Sequence, residues 1–179
     1  MRKTIALSVL VAGLGLGTGC GRKKAAADGM ALPAAGAPSQ ILKDFQMQDI
    51  QNGIKTMVVD SVQGRLLDAQ QVAEVDRPIV TFYKQGAISS VLHAPQGKVQ
   101  MDTHEVLAWG GVTVVTPDSA TLNTDRLRYD PNTQHLVTQD PVRLEKPDSI
   151  TEGIGMDADP DLSHVKIGHE KVHLKNRPA

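Results

Sequence analysis

Six histidines, one cysteine and a run of alternating aspartates are the residues here whose types and spacing could do chemistry. The histidines are His93, His104, His135, His164, His169 and His173. The last three are spaced H-x4-H-x3-H, which could suggest a metal site. If the tail is two strands with a turn, the three rings need not converge, and no cysteine lies nearby to complete a ligand set. The stretch "DADPD" (Asp157–Asp161) alternates carboxylates as a calcium loop does. It lacks the glycine and the distal glutamate of an EF-hand and reads as a solvated turn. No order of Ser, His and Asp stands out as a catalytic set. The chain is therefore expected to be no enzyme, with no catalytic residue, no metal and no cofactor. Nucleic acid is excluded as a partner on charge. With 19 basic and 20 acidic residues the net charge is −1, so no basic excess tracks a phosphate backbone. Aromatic residues make up 3%, too few for base stacking.

The single cysteine is Cys20, which excludes an internal disulfide. It follows "MRKTIALSVLVAGLGLGTG", with Arg2 and Lys3 as a positive start and Thr4 to Thr18 as an apolar run of 15 residues. That is short of the roughly 20 needed to span a bilayer. The segment reads as an export signal. A cysteine just after small residues suggests a lipoprotein signal, with Cys20 as the lipidated N-terminus of the mature chain. Gly17 occupies the position where a large aliphatic is usual, and Leu16 stands one place earlier. The alternative is an uncleaved anchor helix. The glycines of "GLGLGTG" lie inside this signal, not after a strand, so they form no dinucleotide loop. Ala25 to Gln40 is small, proline-bearing and aperiodic, and reads as a tether. The expected organisation is 1–20 export signal or anchor, 21–44 flexible tether, and 45–179 periplasmic domain.

Any functional surface must then be built by that domain, and its sequence is strand-like. Short alternating runs recur between turn signals: "TMVVDSV", "PIVTFY", "SVLHA", "KVQMD", "EVLAW", "VTVVT", "ATLNT", "RLRYD", "HLVTQ" and "VRLEK". The interruptions at Gln63-Gly64, Pro95-Gln96-Gly97, Gly110-Gly111 and Asp140-Pro141 are taken as turns, like those at Pro117-Asp118-Ser119 and Pro147-Asp148-Ser149. This pattern predicts an all-β sandwich or open roll. The phrase Pro-Asp-Ser repeats with Pro117 and Pro147 30 residues apart, and Val112, Val142 and Val172 keep the same offset. A fixed period in this range means a stacked unit that buries its apolar face only in series. Each unit is expected to hold about four short strands.

Alternation says which side faces in, because side chains two apart share a face. From Val112 the matching parity takes in Val114, Ala108 and Val106. From Val142 it takes in Leu144, Thr138 and Leu136. Leu92 and Ala94 match Leu122 and Thr124 in the repeat. These residues are expected to line one concave apolar face. Trp109 has the opposite parity and is expected to pack on an edge. The terminal strand "KVHLK" (Lys171–Lys175) has no later strand to cover it. Its edge is expected to pair with a partner, with Val172 and Leu174 as anchors.

Several phrases in this order resemble the LptC family, the membrane-anchored periplasmic component of lipopolysaccharide export. They are Phe82-Tyr83 before a turn, Leu92-x-Ala94, Gly110-Gly111-Val112, Leu122 to Asp130, Thr138 to Val142, Gly153-x-Gly155 and the terminal "VHLK". The resemblance covers about Gly53 to Lys175. It implies a β-jellyroll open along one side and built from strand-turn repeats. It implies that acyl chains of lipopolysaccharide travel along an apolar groove formed by Leu92, Ala94, Val106, Ala108, Val112, Val114, Leu122, Thr124, Leu136, Val142 and Leu144. It also implies an inner-membrane location on the periplasmic side, an ABC transporter complex as the donor of lipid, and a periplasmic bridge protein of the same fold as the acceptor. The competing expectation is a β-repeat scaffold lipoprotein without lipid cargo. A filled core would favour the scaffold and an open apolar mouth the conduit.

Overall fold

The computed structural model describes residues 38–175. The export signal, Cys20 and residues 21–37 of the tether lie outside the described residues. Twelve strands form one antiparallel sheet among the described residues. They are β1 (Gln40–Gln51), β2 (Ile54–Leu67), β3 (Val72–Asp76), β4 (Ile79–Lys84), β5 (Ala87–His93), β6 (Gln96–Gln100), β7 (Val106–Val115), β8 (Thr121–Asp130), β9 (His135–Glu145), β10 (Ser149–Ala158), β11 (Val165–Ile167) and β12 (Lys171–Leu174). The only helical piece there is the 3-10 turn Asp68–Gln70. No helix among the described residues is long and apolar enough to cross a membrane.

The pairing reduces to a simple plan. β2 pairs with β4 through Met57–Asp60 and with β3 through Gln63–Leu67. β7 pairs with β6 through Val106–Trp109 and with β5 through Thr113–Val115. β10 pairs with β11 through Met156–Ala158 and with β12 through Ser149–Glu152. So β3 and β4 are two arms of one broken strand, as are β5 and β6, and β11 and β12. Counted this way, nine rungs stack in chain order, each antiparallel to the last and each split or bent near its middle. At about 4.8 Å per rung the stack is roughly 38 Å long. It is an all-β twisted roll, as the alternation predicts.

The bends fall on one line. Arg77-Pro78 separates β3 from β4, and Ala94-Pro95 separates β5 from β6. A register shift interrupts β7 between Trp109 and Val112, β8 between Thr124 and Arg128, and β10 between Ile154 and Met156. Such bulges bend a strand and sharpen its twist. Gly110 and Gly111 take φ of +88° and +97°, and Gly155 takes +77°, conformations open to glycine at little cost. Pro78, Pro95 and Pro141 sit where a missing N–H costs least in a ladder.

This corrects the strand count. The glycines and prolines at 63–64, 95–97, 110–111 and 140–141 bend or split a rung and do not reverse the chain. The reversals are at Pro117-Asp118-Ser119, Pro147-Asp148-Ser149 and their equivalents. The 30-residue unit is therefore two long bent strands, not four short ones. At Pro117 the reversal is built by Thr116, whose Oγ1 accepts from the Ala120 amide at 3.0 Å, while Ser119 N donates to Thr116 O at 3.0 Å. The first strand also starts at Gln40, so residues 40–44 of the expected tether belong to β1. Composition hides this because Gln40–Asp44 is an exposed edge carrying Ile41 and Leu42 side by side, with no alternation to mark it.

Candidate functional site

Each bent rung has two arms, and the inner faces of the arms look at one another. On one arm, cross-strand neighbours form a ladder through every rung: Met47, Val59, Val80, Leu92, Val114, Leu122, Leu144, Thr151 and Val172. On the other arm, Leu66, Ala73, Val99, Val106, Tyr129, Leu136, Ala158 and Val165 do the same from β2 onward. Two apolar ladders thus run the length of the roll and enclose a cleft. Every member of a ladder is set by a strand's two-residue period.

All eleven groove candidates lie on this inner face and are buried, the most open being Ala94 at 9% exposed. Leu92, Val114, Leu122 and Leu144 stand on the first ladder, and Val106 and Leu136 on the second. Val112, Thr124 and Val142 line up at the bend, opposite Gly153. Thr124 buries its hydroxyl by donating to Pro141 O at 2.9 Å. Parity alone missed Leu127 and Tyr129, because the bulge in β8 shifts the inner set by one residue. The phrase "RLRYD" carries the signal, since its apolar residues sit two apart and its arginines point out. Arg126 holds Asp140 and Arg128 holds Glu105 on the outer surface.

At the end of the stack the inner face is uncovered. β12 continues the first ladder, with Val172 55% and Leu174 81% exposed. Its outer edge has no strand partner among the described residues. β1 is likewise paired only with β2 at the other end. Trp109 lies half-buried on the outer face and donates Nε1 to Gln96 Oε1 at 2.8 Å.

The cleft's mouth lies opposite the fold line and is crossed by polar side chains. His104 Nδ1 is 2.8 Å from Asp49 Oδ1, and Thr56 donates to the same carboxylate at 2.8 Å. Burial alone pushes the Asp49 carboxyl up, but the hydrogen bonds from His104, Thr56 and Gln51 win and hold it below its usual value. Gln134 donates to Gln51 at 3.0 Å. Between β10 and β11 the loop 159–164 folds across the mouth. There Lys84 Nζ meets Asp161 Oδ2 at 2.5 Å, and Lys146 Nζ donates to Leu162 O at 3.3 Å. Leu162 turns its side chain into the apolar cluster and is 2% exposed. Beside it is a cavity of about 220 Å³ lined by Phe82, Tyr83, Lys84, Tyr129, Gln134 and Asp161, among others. That is below the roughly 300 Å³ at which pockets begin to hold drug-sized ligands. The inner side chains of both arms pack into one buried cluster, so the interior is filled, and Phe82 and Tyr129 meet within it with ring centroids 4.8 Å apart. Burial, and then the nearby Asp49 and Asp130 carboxylates, push the Tyr129 phenol up to about 12.

The three C-terminal histidines are apart in role. His164 Nδ1 lies 2.8 Å from Asp159, His169 sits in the break between β11 and β12, and His173 faces Ile150 across the ladder. Among the described residues no three His, Cys, Asp or Glu side chains gather as metal ligands would. The aspartates of 157–161 are spent on side-chain partners: Asp157 on His135, Asp159 on His164, and Asp161 on Lys84 and Ser163.

Comparison with known proteins bears on this architecture. The fold is similar to the crystal structure of LptH from Pseudomonas aeruginosa, the LptA-homologous periplasmic component of a lipopolysaccharide transport device. The TM-score is 0.51 at 17% identity, over 68% of this chain and 95% of that one. At this identity the likeness shows the fold alone. A comparison with curated proteins gives no match. The sequence matches the lipopolysaccharide-assembly, LptC-related family over residues 11–173, nearly its whole length. The chain belongs to that LptC-related family, and its work lies in lipopolysaccharide transport.

Proposed function

We propose that this protein takes lipopolysaccharide from an inner-membrane ABC transporter and hands it to a periplasmic bridge protein of the same fold. The observation that carries this reading is the pair of apolar ladders, continuous through the stack and exposed at its C-terminal end. Acyl chains would lie between the arms while the sugar head stays in water. The chain itself only guides and passes on the lipid. The N-terminal rungs would face the transporter, and the free edge of β12 would pair with the bridge protein through its main chain. The domain would be held at the inner membrane by the N-terminal segment, through lipid on Cys20 or an uncleaved helix.

One observation favours the scaffold reading instead. The interior is filled, and a filled core fits a rod that carries nothing. On the conduit reading the arms must part before cargo enters. Photocrosslinking separates the two. A crosslinker at Leu122 or Val142 should capture lipopolysaccharide in cells, and one at Asn123 or Arg143, which point outward, should not. Equal capture at inner and outer positions, or none at either, would sink the conduit.

A further inference from the structure

The segment closing the mouth has an unusual chemical make-up. Asp161 and Leu162 are adjacent, so they present a carboxylate and a branched alkyl group from neighbouring positions of one chain. The carboxylate goes to Lys84 at the lip, and the alkyl group goes into the apolar interior. The Leu162 carbonyl meanwhile takes Lys146. Lys84 ends β4 and Lys146 follows β9, so both belong to the same arm, and the loop reaches them from the other arm. An anionic head on Lys84 with an apolar tail inside, beside a second cation whose partner is a neutral carbonyl, is also how a phosphorylated lipid would sit in this cleft.

We propose that the loop 159–164 is a built-in stand-in for cargo, and that Lys84 and Lys146 form a lipid-phosphate subsite at the lip. The proposal rests on the lipid reading above. The loop occupies the subsite when no lipid is present. An arriving lipid replaces the Asp161 carboxylate with phosphate and the Leu162 side chain with an acyl chain. Asp159 also lies near Lys84 and leaves with the loop, so Lys84 is freed of both carboxylates at once. Lys146 keeps Asp118 in its neighbourhood and is the weaker of the two. Lys84 is 60% exposed at its side chain and can reach a ligand without repacking. The exchange swaps like for like, which keeps the apolar interior covered throughout.

The test uses the full chain in nonionic detergent, with bisphosphorylated lipid A and the same lipid stripped of its phosphates. The unsubstituted protein should bind the phosphorylated lipid roughly tenfold more tightly, the scale of one charge-assisted contact at a half-exposed site. The double variant Lys84→Gln, Lys146→Gln should lose that preference while keeping its melting temperature within a few degrees. Asp161→Asn should tighten binding of both lipids by up to roughly tenfold, because a closed state then competes less. Hydrogen exchange over 159–164 should speed up when lipid binds, and inorganic phosphate alone should not speed it, since nothing replaces Leu162. The subsite is overturned if the unsubstituted protein binds both lipids equally, or if exchange over 159–164 is unchanged by lipid. If neither lipid binds at all, and the groove crosslinkers capture none, the lipid reading falls with it.

Discussion

Asp161 ties the loop 159–164 to Lys84 across the mouth. Burial alone pushes its carboxyl up, but hydrogen bonds from Lys84 and Ser163 outweigh that and hold it down at about 2. A depressed acid stabilises the fold above its unfolded value, near 4, and loses that contribution as pH falls through its folded value. The closed loop should therefore persist across the whole neutral range and release only between about pH 4 and pH 2. Its contribution is of order 1 kcal/mol, discounted for solvent at the lip. Leu162 methyl resonances followed by NMR should stay fixed above pH 4 and shift below it. A shift between pH 5 and 7 would mean that another group holds the loop. None of this could be read from "DADPDLSH". Its aspartates looked like a solvated turn, and nothing local tells Leu162 to turn inward. The loop is held in place by Lys84 and Lys146, remote in sequence.

Among the elements, the end of β11 lies close against β10. An added Cβ at Gly153 would lie 2.3 Å from the Ile167 side chain and 2.5 Å from the Gly168 carbonyl oxygen. Gly153→Ala should therefore cost about 2 kcal/mol or more, since the second clash is with backbone. Urea denaturation should show a lower midpoint with an unchanged slope. β12 is different, because all four of its residues are exposed. Truncation after Gly168 removes it and the ion pair between Lys175 and Glu145. The shortened domain is expected to stay folded and keep its transporter contact, yet to lose the bridge protein in pull-downs. Unfolding, or undiminished capture of the bridge protein, would refute the assignment of that edge. The strands themselves were legible from alternation, and so was their inner face. The bends were not. Glycine and proline mark a kink and a reversal with the same letters. Only pairing partners distinguish them, as at Gly110-Gly111, where β7 runs on and merely changes partner from β6 to β5.

At the scale of the whole molecule, the 30-residue period correctly announced a stack, since Val112 and Val142 recur at one level of it, while Val172 falls two residues along, level with Leu144. It could not announce that the cleft is closed. Alternation says which side chains face in, but the distance between two arms depends on contacts such as Phe82 with Tyr129, whose residues are far apart in sequence. The proposed N-terminal anchor falls outside the described residues, and the proposal is testable by mass. Intact mass from native membranes should show an acylated chain beginning at Cys20, and Cys20→Ala should abolish that processing. A chain beginning at Met1 would instead mean a retained helix. The shared fold line carries a further consequence. Among the described residues, the contacts spanning the mouth at His104, Gln134, Lys84 and Lys146 all use a side chain. Every main-chain ladder runs from rung to rung, along the stack and not across it. The roll can therefore open like a book on its spine. Its pages separate while each stays bound to the next, and the barrier is set by a handful of polar clasps and the wetting of two apolar faces, not by unfolding.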